Sequence, residues 1–197
     1  MPRRTLDRII VVDVEATCWE ADPPPHQTSE IIEIGVCLLD AANGERLDRE
    51  SILVRPTQSS VSPFCTQLTS LTQEQVEQGT SFEDACSVLR TRFRTNERVW
   101  ASYGDYDRAI FERQCKHQDV KYPFSAGHIN VKTLLAAVYG LKHETGLSKA
   151  LNLLGVPLEG TYHRGVDDAW NIAAVLSRII LAARPGLIRR PKGPDGA

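Results

Sequence analysis

Residues 9–16 read IIVVDVEA: four β-branched residues in succession, then Asp13 and Glu15 straddling a fifth. That composition favours a strand, predicted over residues 8–14. Side chains two residues apart on a strand project from one face, so Asp13 and Glu15 stand side by side. Two like charges held together raise the electrostatic energy unless a cation sits between them, and hard divalent ions such as Mg²⁺ prefer oxygen ligands of this kind. An isolated D-x-E pair is more simply an acidic strand end opening into a solvated loop. The pair therefore gains meaning only from what accompanies it.

Residues 31–39 and 46–54 carry the same strand signals, and Asn43-Gly44 marks a hairpin turn between Asp40 and Glu45. The second and third strands are thus expected to pair antiparallel. Between the first two strands, ADPPPHQTS holds three consecutive prolines, which cannot join a ladder and must form an exposed connection. After Pro56 the pattern turns helical. Thr72 and Gln75 are spaced as a capping box, and Ser81 is placed to cap a helix bearing Phe82, Ala85, Val88 and Leu89. Strand signals return at 99–103 and 128–131, and helical ones at 107–117, 133–139, 148–154 and 167–183. A three-strand meander followed by alternating helices and strands predicts an α/β fold, a mixed sheet with helices packed on it, in a single domain over residues 1–183. Residues 184–197, rich in Pro, Gly and charge, are expected to form a loose tail.

The 197 residues, 42% of them hydrophobic, suffice for one core without disulfides or a structural metal. With 23 basic and 25 acidic side chains the net charge is -2, so no global positive field announces a polyanionic partner. The five cysteines (Cys18, Cys37, Cys65, Cys86, Cys115) are odd in number and never spaced CxxC. This argues against a disulfide framework and a zinc ribbon, and a reducing cytoplasm is the expected setting. The apolar run at 9–12 is too short for a signal segment, and no stretch approaches the roughly 20 apolar residues of a membrane helix. A dehydrogenase is disfavoured because no G-x-G-x-x-G follows the first strand.

Two further segments supply acids where the folding pattern calls for apolar residues. In the last helix Asp168, Ile172, Val175 and Ile179 form one inward stripe, whereas Asp167 shares its stripe with Asn171 and Arg178 and is expected on a solvated side. His163, five residues before Asp168, is close enough to address the same site, and a histidine titrating near neutrality can take a proton from water. In YGDYDRAIF (103–111) both Asp105 and Asp107 sit at a strand-to-helix junction, where α/β proteins place ligands. Asp107 is preferred because it shares a face with Ile110 and Phe111.

These segments carry a family likeness. VVDVEATCW (11–19), SPFCTQLTSLTQEQV (62–76), YGDYDRAIF and HRGVDDAWNIA (163–173) resemble the DEDD superfamily of 3'-to-5' exonucleases, histidine subtype, and more closely its ERI-like branch. The resemblance implies a ribonuclease H-like mixed sheet, an antiparallel meander plus parallel strands, with helices on both faces. It assigns the metal ligands to Asp13, Glu15, Asp107 and Asp168 and the general base to His163, with Glu15 also counted as catalytic. It places Tyr106 and Phe64 beside the terminal base, Leu68 as a wedge near it, and the backbone of Ala16 and Thr17 against the terminal sugar. Thr69-Ser70-Leu71 stands where such proteins usually carry Thr-Gly-Ile.

The implied activity is hydrolysis of the terminal phosphodiester at nucleic-acid 3' ends, RNA or short single strands favoured, releasing nucleoside 5'-monophosphates. Two Mg²⁺ or Mn²⁺ ions about 3.5–4 Å apart would serve it. Two other readings stay open: a catalytically silent exonuclease fold used as an interaction module, and a phosphoesterase acting on dinucleotides.

Overall fold

The chain from Thr5 to Arg184 is described by a computed structural model. The strand that carries the acidic pair, β1 (Thr5–Ala16), lies at the centre of a five-stranded sheet. On one side it pairs antiparallel with β2 (Ile31–Asp40), which pairs antiparallel with β3 (Arg46–Leu53). On the other side β4 (Arg98–Ser102) and then β5 (His128–Asn130) add parallel, giving the order β3-β2-β1-β4-β5. The expected mixed sheet is therefore present. Its first strand is longer than the residues 8–14 read from composition, because ladder pairing to β2 carries it through Asp13 and Glu15 to a register shift after Glu15.

Alternation along β1 divides the core. Ile10, Val12 and Val14 pack with Phe82, Ala85 and Leu89 of α3 (Phe82–Thr91) and with Ile110 and Phe111 of α4 (Tyr106–Gln118). Ile9 and Val11 face the other way, against α5 (Val131–Val138), α6 (Leu147–Leu154) and α7 (Gly165–Ala183). Helices thus cover both faces. Burying a strand on both sides removes water from nearly every side chain, which explains the near-continuous apolar run of its middle.

Two short helices complete the order. In α1 (Pro63–Thr69) the Ser62 hydroxyl accepts from the Cys65 N–H and Pro63 opens the first turn. In α2 (Gln73–Glu77) Thr72 and Gln75 form the capping box read from their spacing. Ser81 caps α3, as its position suggested. Cys65, Leu71 and Val76 pack against Ile32 as a small separate cluster. Ser70 ends α1 at φ +62°, the left-handed conformation that glycine adopts without strain.

Asn43-Gly44 lies in the expected hairpin loop between Asp40 and Glu45, closed by the Asp40 N–H on the Glu45 carbonyl at 2.8 Å, with Asp40 Oδ1 accepting from Ala42 and Asn43 and Asn43 Oδ1 from Glu45. One expectation needs correction: of the Asp167 stripe only Arg178 is exposed. Asn171 is fully buried, donating to the Glu159 and Asp167 carbonyls, and Asp167 accepts from the Thr161 N–H and from Arg49. A polar residue on a helix can face inward when distant backbone meets its hydrogen-bonding needs. All five cysteines are free thiols. The tail expected from residue 184 onward falls, past Arg184, outside the described residues.

Candidate active site

The last paired residues of β1 and β4 are Val11 and Ala101, and β1 continues past them. Asp13 and Glu15 thus stand beyond the carboxyl ends of the parallel strands, where open α/β sheets expose groups to ligands. They keep the parity of Ile9 and Val11 and so face α7. The first turn of α7 brings Asp168 to the same place, 93% of its surface covered, and His163 precedes the helix in an exposed turn. Ligand-type atoms of Glu15, His163 and Asp168 all lie within 4.8 Å of one another.

Asp107 arrives from the opposite layer. It is buried in the first turn of α4, and its Oδ1 accepts from the N–H of Val14, the residue between Asp13 and Glu15, at 3.0 Å. Asp105 is exposed at the N-cap position and accepts from Asn130 instead. The geometry therefore separates two acids that the spacing alone only ranked.

Electrostatics register the crowding. Burial, then Asp107, Glu15 and Asp168, push the Asp13 carboxyl well above its ordinary range. Burial followed by the charges of Asp168, Glu33 and Asp107 takes Glu15 up to about 8, with Arg164 pulling the other way. Burial raises Asp107 to about 6 despite hydrogen bonds from Val14 and Ser102 that favour its charged form. Asp168 is raised too, chiefly by burial. Its Oδ2 accepts from the His163 N–H at 2.9 Å, while Oδ1 is buried with no hydrogen-bond partner among the described residues. An acceptor left this way costs about 1–3 kcal/mol, more when charged, so a ligand is called for. Oxygen donors plus one imidazole, mutually repelling and with an unsatisfied inward oxygen, fit divalent cations.

The residues expected to meet substrate lie at the end of β1, at the start of α4 and on α1. Tyr106 opens α4, is 57% exposed, and has its hydroxyl 3.4 Å from Ser29 Oγ. Phe64 and Leu68 project from α1, and with Glu20, Pro63 and Gln67 they line an open groove of about 600 Å³. Ala16 ends β1, its carbonyl accepting from Cys65 Sγ at 3.5 Å, which ties α1 to the strand end. Thr17 is fully buried, with its N–H on the Glu30 carbonyl and its hydroxyl bonded to Glu30 and Thr28. A sugar contact from Thr17 would therefore fall to its carbonyl.

Sequence reasoning missed the supports. Glu33, directly opposite Glu15 on β2, is fully buried and accepts from both sides of the Arg164 guanidinium. Glu30 organises the loop before α1, accepting from the N–H groups of Thr57, Gln58 and Ser59. The available signal was the one used for Asp13: Glu33 interrupts the apolar run that Glu30 opens, EIIEIG.

Comparison with known proteins identifies the family. The family model RNase_T, described as Exonuclease, matches residues 10–176. The chain belongs to this exonuclease family. Its relatives include 3'-5' exoribonuclease 1 of Homo sapiens, 32% identical over 185 residues that cover 88% of this chain and 52% of the relative. ERI1 exoribonuclease 2 of Xenopus laevis is 28% identical over 204 residues, 90% of this chain and 29% of the relative. The chain thus spans about half the length of one and under a third of the other. Among solved structures, the nuclease domain of 3'hExo, a DEDDh family member bound to rAMP, superposes with a TM-score of 0.81 at 31% identity, covering 89% of this chain and 92% of that one. These likenesses place the exonuclease domain in the histidine subtype of the DEDD superfamily, on its ERI-like branch.

Proposed function

We propose that this member of the exonuclease family hydrolyses the terminal phosphodiester at nucleic-acid 3' ends, with RNA and short single strands preferred, releasing nucleoside 5'-monophosphates. The observation that carries the reading is the convergence of buried, mutually repelling carboxylates from β1, α4 and α7 beside His163, with Asp168 Oδ1 unsatisfied. Asp13, Glu15, Asp107 and Asp168 would hold two Mg²⁺ or Mn²⁺ ions. Bound there, such ions supply the positive charge that acidifies the attacking water and offsets charge building on the leaving 3' oxygen.

The chain's own groups do the rest. His163, exposed at the mouth of the cluster, accepts the proton of the attacking water. Its N–H on Asp168 Oδ2 keeps it within reach of the site. Tyr106 and Phe64 offer exposed rings to the terminal base, with Leu68 beside Phe64 as a wedge, and the backbone of Ala16 and Thr17 faces the sugar. The metal-free cluster repels a phosphate backbone, so engagement of the scissile phosphate depends on the cations. Five free thiols suit a reducing cytoplasm.

The test is digestion of matched 3'-labelled RNA and DNA oligonucleotides and a dinucleotide, with Mn²⁺ or Mg²⁺ added or chelated. Stepwise, metal-dependent release of 5'-monophosphates from the oligonucleotides is expected. Cleavage confined to the dinucleotide would make the protein a small-substrate phosphoesterase, and no cleavage of any would make it a silent exonuclease fold.

A further inference from the structure

The structure assigns to Glu33 and Arg164 a role outside the acidic cluster: they are a positioning pair that fixes His163 in its turn and thereby sets the distance from the imidazole to the attacking water. This rests on the nuclease reading given above. Glu33, the third residue of β2, is fully buried, a setting where an ionised carboxylate is tolerated only with full hydrogen bonding. It has that bonding. Its oxygens accept from Ser51 Oγ at 2.5 Å, from Arg164 Nε and Nη2 at 3.2 Å each, and from the Gly165 N–H at 2.9 Å.

Two features of the His163 turn explain what these bonds accomplish. First, α7 begins without help from its own N-cap residue, because Arg164 makes no side-chain cap. Glu33 supplies the missing acceptor from another layer of the protein, and a carboxylate at a helix N-terminus is also favoured by the helix dipole. Second, His163 sits at φ +58°, a left-handed conformation that strains a non-glycine residue and persists only where the surroundings hold it. The holding groups lie at consecutive positions: Asp168 takes the His163 N–H, and Glu33 takes the Arg164 side chain and the Gly165 N–H. Asp168 alone cannot impose the turn, since it lies on the same helix the turn leads into and would move with it. Glu33 anchors the turn to the strand directly opposite Glu15, so one ladder fixes both sides of the site.

The experiment combines kinetics with amide exchange on the full chain. Glu33→Gln keeps the shape and removes the charge, and Arg164→Met, altering a side chain 30% exposed, covers the case in which Glu33→Gln does not fold. Each is expected to lower kcat by about 10- to 100-fold, the range for residues that orient a site without touching the reacting atoms, with KM within about twofold. The double variant is expected to be no worse than either single one. In a His163→Ala background neither substitution should lower kcat further, whereas a merely structural role would go on costing activity there. Exchange of the His163 amide should accelerate at least tenfold in both variants, with or without added Mn²⁺. Unchanged exchange, or a kcat loss that persists undiminished without His163, would overturn the assignment. A wild-type chain inert on every oligonucleotide would defeat the nuclease reading instead, and the exchange rates would then decide the positioning claim alone.

Discussion

A Cβ placed on Gly35 of β2 would lie 1.9 Å from the carbonyl carbon of Gly165, the first residue of α7. Strand and helix therefore meet backbone to backbone, and Gly165 in turn lies where an added Cβ would be 3.2 Å from the Asp13 carbonyl oxygen. The approach of α7 to the sheet, and with it the reach of Asp168 and His163 toward Asp13 and Glu15, depends on the absence of one methyl group.

Gly35→Ala is accordingly expected to lose both stability and activity. The clash is with backbone, which cannot rotate away, so the cost should reach or exceed the upper part of the overpacking range, about 3 kcal/mol. Urea denaturation measures it. A variant as stable and as active as the parent would mean that the helix has room the structure does not show.

How much of this was legible beforehand follows from the range of each interaction. Asp13, Glu15, Asp107 and Asp168 could be singled out because each interrupts a local period, and the strand or helix that contains it dictates which way it faces. What Gly35 and Glu33 meet across the fold, Arg164 lying 131 positions from Glu33, leaves no local trace, although Glu33 itself interrupts an apolar run. Asn171 was misread for the same reason: its partner, the Glu159 carbonyl, belongs to a loop whose placement only the folded chain defines. The sheet was readable in outline because composition and turn residues act over a few positions. The hairpin loop after Asp40 was readable for the same reason: Asn43-Gly44 lies within it, with Gly44 at φ +74°.

Ser70 offers a gain in stability. Exposed and left-handed at φ +62°, it bears a steric cost of roughly 1–2 kcal/mol, against which glycine would bring about 0.4–1 kcal/mol of extra unfolded-state entropy. Relief exceeds cost, so Ser70→Gly should stabilise by about 0.5–1 kcal/mol with activity unchanged. Thermal denaturation checks this, and a lowered midpoint would contradict it.

Asp13→Asn separates function from folding. Residues that merely support metal ligands are worth 10–100-fold, so loss of a ligand should cost at least about a hundredfold in nuclease rate. The same change removes a carboxyl whose ionisation burial, Asp107, Glu15 and Asp168 all oppose, so the metal-free protein should melt higher than the parent. Turnover near the parent's on a 3'-labelled oligonucleotide with Mn²⁺ would take Asp13 out of the site.

The cluster also fixes how stability should depend on pH. Glu15 and Asp107, held at about 8 and about 6, bind protons in the folded metal-free chain at pH values where the unfolded chain, with ordinary carboxyls near 4, has already released them. Wherever the folded state holds more protons, stability falls as pH rises, so these groups should erode it progressively from about pH 4 to about pH 8. Glu30, whose carboxyl is lowered by the backbone N–H groups it accepts from, acts in the opposite sense, but its contribution is complete above about pH 4.5 and lost only in acid. It therefore cannot mask the trend near neutrality. Divalent cations compete with the cluster's bound protons, so their stabilisation should grow as those protons leave. Melts at pH 6 and pH 8 in EDTA and in Mn²⁺ test both statements: the midpoint should drop with pH in EDTA, and the increment due to Mn²⁺ should be larger at pH 8. A metal-free midpoint that climbs between these two pH values would show that the four carboxylates do not share one low-dielectric site.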